Sequence, residues 1–522
     1  MINDILKQGI GRRNVLVGGA AAALGISLGG EALAQAQPKK GGRFRLGVST
    51  ASAGDSHDPA TWGTSAIINL GLWGGVYNNL MEIGPDDKLV SELAESVEPS
   101  EDAATWTFKL RKGVTFHNGK TLEADDVIAS FNHHRGPASK SAAKGIVDAI
   151  TDVKADGKDR VIFTLASGSA DFPALSTDYH LSIGPAKDGK VDWEAAVGTG
   201  AYRLVSHERG VRMVLKRNPG YWKTGRAHFE DVEIIAIPDA AARMNAMVTG
   251  QVDAISRVDL KTLALLQRSK DIVVDEVTGT QHYTIPMFTD VAPFTDNNVR
   301  LALKYAIDRK ALVQTILRGH GRPGNDSPIT PANAYFASDI PVREYDPDKA
   351  KFHLKQAGQT ALKLDLSAAD AAFPGAVDTA VLFKEHAAKA GIEINVVREP
   401  NDGYWTNVWT KKPFVMCFWA GRPTEDWMFS QVYAKDARWN DTHWNSERFN
   451  KLLVDARAEL DTKKRRGMYH EMQVIVSNEG GVIIPMYANY VTARSKKIAR
   501  GKTIASNYDL DGSKCVERWW FA

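Results

Sequence analysis

Residues 105–131 read TWTFKLRKGVTFHNGKTLEADDVIASF and contain a strand, a turn and the start of a helix in succession. Every second residue from Trp106 to Leu110 is apolar, which is typical of a half-buried strand. Asn118-Gly119 predicts a hairpin turn. The acidic residues Asp125 and Asp126 follow it, and negative charge in a first helical turn stabilises the helix dipole. The stretch therefore predicts a domain that mixes strands and helices.

Two later segments extend this pattern to an α/β fold. Val232–Ile237 is an apolar strand, and Asp239 can cap a helix that stops at Gly250. Farther on, a predicted strand at 362–366, a helix at 377–390 and a strand at 392–397 form a strand–helix–strand unit. Strands that alternate with helices of this length indicate the α/β class.

Four further elements are predicted from hydrophobic periodicity. They are a strand at Arg43–Val48, an amphipathic helix at Ile67–Leu80, a strand at Gln281–Phe288, and a helix that Asn297 caps. The last of these has a core stripe made of Val299, Leu303, Ile307 and Ala311.

The composition is that of an ordinary globular protein. The chain has 522 residues, of which 43% are hydrophobic and 24% are charged, and its net charge is +3. This length allows two or three domains, and the near balance of charge gives no argument for nucleic acid as a partner. The two cysteines are too few for a structural zinc site. Cys417 lies in an apolar run, and we expect no disulfide between it and Cys515.

The first 34 residues have the features of an export signal. Arg12-Arg13 precedes a mild apolar run at 15–28, and Ala32-Leu33-Ala34 fits a small-x-small cleavage site. The run is too short and too weakly apolar for a bilayer, which needs about 20 apolar residues. We predict a twin-arginine signal peptide at 1–34, cleavage after Ala34 and export to the periplasm.

A series of segments resembles the family-five extracellular solute-binding proteins, the peptide, nickel and opine receptors of ABC importers. In the order of that family, the segments are LAESVEPS (93–100), the 105–131 stretch, GTGAYRLV (198–205), LKRNPGYWKTGRAHFEDVEI (215–234), GQVDAI (250–255), DNNVRLALKYAIDRKAL (296–312) and YDPDKAKFHLKQAG (345–358). The resemblance covers nearly all of the chain after the leader, and no single short pattern carries it.

The resemblance implies an α/β, two-lobed periplasmic-binding-protein fold (type II, cluster C) with an extra inserted subdomain. Lobe I is expected at 35–80, 200–288 and 480–522, the inserted subdomain at 81–199, and lobe II at 289–479. It also implies a monomer that captures a small solute by lobe closure and delivers it to an ABC permease and ATPase complex. No cofactor, metal or nucleic acid is expected.

The aromatic stretch 400–444 is the predicted centre of the ligand site. It holds six of the thirteen tryptophans around the charged turn Gly421–Asp426. Ligand pockets are mostly apolar and aromatic, with a few placed polar groups. From this stretch we predict ligand contacts by Tyr404, Trp405, Trp409, Trp419, Arg422, Asp426 and Trp427. Across the cleft we predict His57, Trp62 and Tyr77.

By the resemblance, Arg422 replaces the aspartate that pairs with the ligand's ammonium group in the peptide-binding members. A guanidinium repels an ammonium group and suits a carboxylate. The expected solute is therefore peptide-like, opine-like or a sugar–amino acid conjugate, with a carboxylate. An Arg422–Glu425 or Arg422–Asp426 ion pair that closes the turn is the structural alternative, and spacing leaves both open.

An ordinary di- or oligopeptide receptor is the alternative function, a metal-complex receptor is another, and an exported hydrolase represents a different class. Motifs for catalysis do not support the hydrolase. Gly25–Gly29 matches G-x-S-x-G but lies within the leader, and His470-Glu471 lacks the second histidine of a zinc protease. We therefore predict a binding protein and not an enzyme.

Overall fold

The computed structural model describes residues 38–522 except 64, 423 and 438. The predicted signal peptide at 1–34 lies outside these residues. Within the part described, no helix combines the length and the apolarity that a membrane span requires.

A nine-stranded sheet forms the framework. Its strand order is β10-β11-β12-β1-β13-β19-β14-β18, and β15 also pairs with β19. Strand β1 runs parallel to β12 and β13, and the other neighbours are antiparallel. The strands are β1 Arg43–Val48, β2 Met81–Ile83, β3 Leu89–Ser91, β4 Ala94–Pro99, β5 Thr105–Leu110, β6 Ile150–Ala155, β7 Arg160–Leu165, β8 Ala186–Lys187, β9 Lys190–Val191, β10 Tyr202–Glu208, β11 Arg212–Arg217, β12 Asp231–Ala236, β13 Ala254–Ile255, β14 Ile272–Pro286, β15 Gly321–Pro323, β16 Leu362–Ala368, β17 Ile392–Arg398, β18 Cys417–Trp419, β19 Val482–Ser495, β20 Ile498–Ala499 and β21 Trp520–Phe521.

Helical segments lie between the strands along the chain. The α-helical segments are Ala66–Ile68, Ala124–Asn132, Lys144–Val147, Phe172–Leu175, Ala240–Val248, Leu263–Gln267, Asn297–Tyr305, Arg309–Thr315, Pro347–Gln356, Ala376–Ala388, Tyr404–Asn407, Glu425–Met428, Glu447–Ala458, Thr462–Glu479 and Cys515–Arg518. A 3₁₀ turn lies at Pro59–Thr61, and π-helical turns lie at Asn69–Val76 and Phe429–Tyr433.

Two long antiparallel strands connect separate hydrophobic cores. To one core cluster, β14 contributes Ile272 from its first part and β19 contributes Val491 from its last part. At their other ends they contribute Tyr283 and Ile483 to a second cluster. Their pairing shifts register between Thr278 and His282, so a bulge lies between the two ends. A bulge at this place allows the paired strands to bend where they pass from one core to the other.

A separate four-stranded antiparallel sheet, in the order β4-β5-β7-β6, packs its own core. This core cluster extends from Leu80 to Ile183 and includes Trp106, Phe108 and Leu110. The predicted division into lobe I, lobe II and an inserted subdomain at 81–199 remains a prediction about domain boundaries.

Several sequence predictions are confirmed. Strand β1 has the predicted bounds, and β5 alternates buried and half-buried residues as its sequence indicates. Asp239 caps helix Ala240–Val248 by accepting a hydrogen bond from the Ala242 amide at 2.7 Å. Strands β16 and β17 are parallel, with helix Ala376–Ala388 between them in the chain.

The amphipathic helix predicted at 67–80 is wrong in character and length. An α-turn at Ala66–Ile68 continues as π-helical turns to Val76, and Leu70 to Val76 are all buried. Three glycines allow this burial, because neighbouring backbone and side chains approach them closely. A Cβ at Gly74 would lie 2.2 Å from the Ser513 carbonyl oxygen.

Two other predictions need correction. Asp296, not Asn297, caps helix Asn297–Tyr305, and Ala311 belongs to the next helix, Arg309–Thr315. The strand predicted at 281–288 is the end of β14, which begins at Ile272. Residues 275–281 are mostly polar, so the hydrophobic pattern of the sequence indicated only the second half of this strand.

Candidate ligand site

The Gly421–Asp426 turn follows β18, the edge strand of the large sheet. Gly421 allows the turn to contact another part of the chain. A Cβ on Gly421 would lie 1.7 Å from Thr280 Oγ1 and 2.6 Å from the Asn507 carbonyl oxygen. The turn therefore meets β14 and the 505–513 segment directly, and this contact places Arg422 beside both.

The Arg422 guanidinium is held by neutral groups. Its Nε donates to Gln431 Oε1 at 2.5 Å, and Nη1 donates to the carbonyls of Ala420 and Gly421. Its Cζ lies 5.7 Å from the ring centroids of both Trp419 and Trp427. Among residues 38–522, apart from 64, 423 and 438, no carboxylate forms an ion pair with it. The guanidinium is half-buried and keeps an uncompensated positive charge.

The two acids of the turn have other partners. Glu425 is 3% exposed and accepts a hydrogen bond from the Tyr335 amide at 2.7 Å. Asp426 is also 3% exposed and pairs with Arg457 Nε at 3.1 Å. Burial raises the pKa of Glu425 to about 7 and raises that of Asp426 as well, against the charge of Arg457. The alternative pairs Arg422–Glu425 and Arg422–Asp426 are therefore not formed.

Four indoles form a connected cluster next to Arg422. Trp409 lies 5.7 Å from Trp405, 5.8 Å from Trp419 and 6.4 Å from Trp439, measured between ring centroids. The Trp409 Nε1 donates to Asp441 Oδ2 at 3.0 Å. Trp405 is 39% exposed and lies at the outer end of the cluster, whereas Trp419 is buried at the inner end. The cluster thus runs from solvent to the guanidinium.

Tyr404 lies in the core. It is 1% exposed, and its hydroxyl donates to the Met416 carbonyl at 2.6 Å. Its ring belongs to the cluster that packs β16 and helix Ala376–Ala388. Tyr404 therefore packs in the core next to Trp405, and its hydroxyl group already has a hydrogen-bond partner within the protein.

His57, Trp62 and Tyr77 lie together in or beside the core cluster that contains β1 and the π-helical turns. The two ring nitrogens of His57 lie 3.0 Å from the Glu194 carbonyl and 3.0 Å from His207 Nδ1. The Trp62 Nε1 donates to the Ser56 carbonyl, and the Tyr77 ring packs on Trp62 and Trp193. The structure brings these three together, and Tyr179 and Tyr508, whose raised pKa the charge of Arg422 opposes, pack against the same core cluster.

The charge of Arg422 acts on other side chains that sequence patterns did not select. Burial raises the pKa of Tyr179, Tyr490 and Tyr508, and the positive charge of Arg422 opposes this rise in all three. Burial also lowers the pKa of His282 to about 4, with a further contribution from Arg422. Tyr179 lies far before Arg422 in the chain and Tyr490 and Tyr508 lie well after it, so no spacing around Arg422 could have indicated them.

The backbone after Tyr508 has an unusual conformation. Leu510, Asp511, Gly512 and Ser513 have φ angles of 54°, 63°, 63° and 62°. A left-handed conformation costs about 1–2 kcal/mol for each residue other than glycine. Asp511 holds the turn, because its carboxylate accepts hydrogen bonds from the Ala505 amide, Arg518 and Trp519. This turn fixes Tyr508 and Asp509 beside the site.

A buried group of three acids is paired with basic side chains, among them Arg518, which pairs with Glu82. Glu82, Glu92 and Glu517 bring carboxylate oxygens within 4.8 Å of one another. The Lys223 ammonium pairs with all three, at 2.7 Å from Glu92 and 3.2 Å from Glu517. The lysine therefore supplies a positive charge to all three carboxylates.

The long paired strands, the separate cores and a polar, aromatic site define a class of two-lobed binding proteins with mixed α/β structure. The family model of bacterial extracellular solute-binding proteins, family 5, matches residues 88–441, which is more than half of the chain. The chain belongs to this family. It is an extracellular solute-binding protein, the component that delivers a small ligand to the permease and ATPase of an ABC importer.

Curated relatives cover most of the chain. The dipeptide-binding protein of Escherichia coli K12 is 27% identical over 78% of this chain and 83% of its own length. Heme-binding protein A of Haemophilus influenzae is 29% identical, with coverages of 77% and 80%. The glutathione-binding protein GsiB of Shigella dysenteriae is 26% identical, with coverages of 81% and 85%.

Solved structures share the fold. DppA of Helicobacter pylori in complex with the peptide STSA has a TM-score of 0.78 at 23% identity and covers 92% of this chain and 99% of its own. AgaA of A. tumefaciens R10 in complex with agropinic acid has a TM-score of 0.79 at 23% identity, with the same coverages. These likenesses confirm the predicted two-lobed fold.

Proposed function

We propose that this protein captures a small organic acid in the periplasm and that Arg422 binds the acidic group of the solute. The observation that carries the proposal is the uncompensated Arg422 charge between Trp419 and Trp427. Arginine presents two parallel N–H donors to a carboxylate, and such charge-assisted hydrogen bonds are about twice as strong as neutral ones. The indoles Trp405, Trp409, Trp419 and Trp427 supply flat walls for apolar or sugar parts of the solute.

Export and capture complete the proposal. The twin-arginine signal at 1–34 directs the protein to the periplasm as a monomer. The lobes close on the solute by bending the β14–β19 pair, the motion of periplasmic binding proteins. A small solute such as a peptide-like, opine-like or conjugated acid fits this scheme, and AgaA with agropinic acid is a structural precedent for an acidic ligand.

Substitution of Arg422 by glutamine tests the anion partner. The probes are dipeptides and opine-type acids, each paired with the amide of the same compound, and the measurement is isothermal titration calorimetry. We expect Arg422→Gln to weaken the acids roughly 10- to 100-fold, because a hydrogen bond to a charged group contributes about 1.5–3 kcal/mol. The amides should bind equally to both proteins.

Arg448→Gln is the matched control, since Arg448 forms an exposed pair with Glu471 on a helix surface. Equal affinities of the acids and their amides for the wild-type protein would contradict the proposal. The ordinary dipeptide receptor remains the second candidate because of the Escherichia coli relative. It predicts that removal of the peptide ammonium group, rather than the carboxylate, abolishes binding.

A further inference from the structure

An open groove of about 710 Å³ lies between the segment that follows β5 and the loop that follows β11. This volume is within the range of small-molecule sites, about 300–1,000 Å³. None of the described residues that line the groove is acidic, and Trp222 supplies an apolar wall. Its basic lining consists of Arg111, Lys112, Lys223 and Arg226. The groove therefore presents basic groups to a ligand.

The guanidinium of Arg111 is fixed at its base and free at its tip. Its Nε donates to the Glu92 carbonyl at 3.1 Å, and its Cζ lies 5.2 Å from the centroid of the Trp222 ring. Lys109 chiefly, and Arg111 to a smaller extent, lower the pKa of Glu95, but the ion pair that Glu95 forms is with Lys109 at 2.6 Å. Within the described part of the chain, the two terminal nitrogens of Arg111 have neither an ion pair nor a hydrogen bond. The parallel donors that suit an anion are therefore preorganised.

Lys223 holds the indole and already has acidic partners. Its Nζ lies 5.4 Å from the centroid of the Trp222 ring. The same ammonium group pairs with Glu82, with Glu92 at 2.7 Å and with Glu517 at 3.2 Å, and all three acids are buried. Its charge is therefore balanced from behind the groove, and its contribution to the groove is the position of the indole.

Lys112 and Arg226 have only loose partners. Lys112 Nζ lies 3.7 Å from Asp159 Oδ2, and the two side chains are 77% and 41% exposed. Arg226 Nε lies 3.6 Å from Glu517 Oε1, which is longer than a hydrogen bond of about 2.7–3.2 Å. Water screens exposed ion pairs strongly, so such cations can turn toward a ligand. With Arg111 they supply three positive groups from two loops.

We propose that this groove is a second binding site of the protein and that it takes the phosphate group of an organic phosphate. A phosphate monoester has three terminal oxygens and up to two negative charges, so it can use Arg111, Lys112 and Arg226 together. A single carboxylate is matched by one guanidinium and would leave the other two cations unused. The indole of Trp222 and the volume of the groove accommodate the organic part. A soluble monoester and the headgroup of a phospholipid both offer this chemistry.

The groove and the Arg422 site follow different strands of the large sheet. Strand β11, which precedes Trp222, is the second strand from one end of the strand order, and β18, which precedes Arg422, is at the other end. The inference therefore goes beyond the proposed function and does not depend on it.

The experiment compares phenyl phosphate with benzoate, its carboxylate counterpart, by isothermal titration calorimetry. We expect the wild-type protein to bind phenyl phosphate at least tenfold more tightly than benzoate. Arg111→Gln should weaken phenyl phosphate at least tenfold, and Arg226→Gln should also weaken it. Arg111→Lys keeps the charge but loses the parallel donors, so its effect should be smaller. Sedimentation with phosphatidylglycerol vesicles, beside phosphatidylcholine vesicles, tests the lipid source with the same variants.

Two controls locate the binding. Arg268→Gln, at an exposed position elsewhere in the chain, and Arg422→Gln should both leave phosphate binding unchanged, and melting curves establish that each variant folds. Binding of phenyl phosphate alone supports a soluble monoester, and Arg111-dependent sedimentation with phosphatidylglycerol supports a lipid headgroup.

Four results overturn the inference. They are no binding of either phosphate source, a benzoate affinity equal to that of bound phenyl phosphate, unchanged binding in both Arg111→Gln and Arg226→Gln, and loss of phosphate binding in Arg422→Gln. The last result would place the phosphate at the other site.

Discussion

Arg422 keeps its charge in a half-buried place because its surroundings replace water in part. Three neutral acceptors bind its N–H groups, and two indole faces lie near its plane. A cation–π contact contributes about 0.5–1 kcal/mol at an exposed site and about 2 kcal/mol when desolvated. Within the described part of the chain no carboxylate pairs with this guanidinium, and the proposed acidic ligand would supply the missing negative charge.

Residue spacing alone could not decide this arrangement. Glu425 and Asp426 follow Arg422 at distances that suit an ion pair across a turn. They contact Tyr335 and Arg457 instead, because Glu425 and Asp426 already belong to the first turn of helix Glu425–Met428, which sets their directions.

Glu425 yields a prediction about pH. Burial raises its pKa to about 7 in the folded protein, from about 4.5 in the unfolded chain. The folded state therefore binds more protons between these values, and this group's contribution to the free energy of unfolding falls as pH rises from about 4.5 to 7. Over this pH range the free energy of unfolding should fall by roughly 2–4 kcal/mol less in Glu425→Gln than in the wild-type protein, since one pKa unit corresponds to about 1.4 kcal/mol.

The measurement is urea unfolding of both proteins at pH 4.5 to 8. The stability of Glu425→Gln relative to the unchanged protein should rise across this range. Glu385→Gln, at an exposed helical position, is the control and should show a constant difference. A constant difference for Glu425→Gln would contradict the raised pKa.

At the scale of elements, the β14–β19 pair is the part of the sheet that connects the cores. Its bulge contains Gly279, where a Cβ would lie 2.3 Å from Tyr490 Cε2 and 2.9 Å from the Ser506 carbonyl oxygen. The Tyr490 ring therefore occupies the space that a side chain at position 279 would need. The bulge and the ligand site share this contact.

Replacement of Gly279 by alanine should disturb the site more than the fold. Overpacking costs about 1–3 kcal/mol, and here the ring that must move is that of Tyr490, next to Thr280, which the Gly421 turn contacts. We expect a lower melting temperature together with at least tenfold weaker binding of whichever acid the calorimetric screen identifies.

Gly467→Ala is the matched control, because no atom lies within 4 Å of its Cβ position in helix Thr462–Glu479. Alanine stabilises a helix interior by about 1 kcal/mol relative to glycine, so this variant should bind normally and melt no lower. Normal binding by Gly279→Ala would show that Tyr490 does not need its present position.

At the scale of the molecule, a buried ion pair joins the core of the four-stranded sheet to helix Thr462–Glu479, which follows the Gly421–Asp426 turn in the chain. Asp171 Oδ2 lies 2.5 Å from Arg465 Nη2, and the two side chains are 10% and 7% exposed. Beside it, the Ala170 amide donates to the Arg457 carbonyl at 2.7 Å. Arg457 in turn pairs with Asp426, so this contact reaches the turn that carries Arg422.

Loss of this contact should favour an open form. Removal of one partner of a buried ion pair costs about 3–5 kcal/mol, because the other charge is left buried and unpaired. We expect Asp171→Asn to increase the radius of gyration measured by small-angle X-ray scattering and to speed solute dissociation. The exposed pair Lys261–Asp378, at 65% and 56% exposure, provides the control, since Asp378→Asn should change neither quantity. An unchanged radius of gyration for Asp171→Asn would show that the Asp171–Arg465 pair does not hold the protein in a closed form.

The sequence by itself determined the family, the α/β class and most of the local elements. Strand β5, the cap at Asp239 and the β16–β17 unit depend on neighbouring residues, whose spacing expresses the period of a strand or a helix. It also singled out the aromatic stretch around Arg422, because clustering along the chain is visible without a structure.

Only the tertiary structure decided which side chains meet. Trp62 and Tyr77 pack in a core that Tyr179 and Tyr508 also contact, and the glycines of the π-helical turns at 69–76 are closely approached by Met213 and Ser513. Tyr179, Tyr490 and Tyr508 come within reach of the Arg422 charge from parts of the chain far from it in sequence. The physical reason is that contacts between distant segments depend on packing and close approach in space, which local hydrophobic periodicity does not encode.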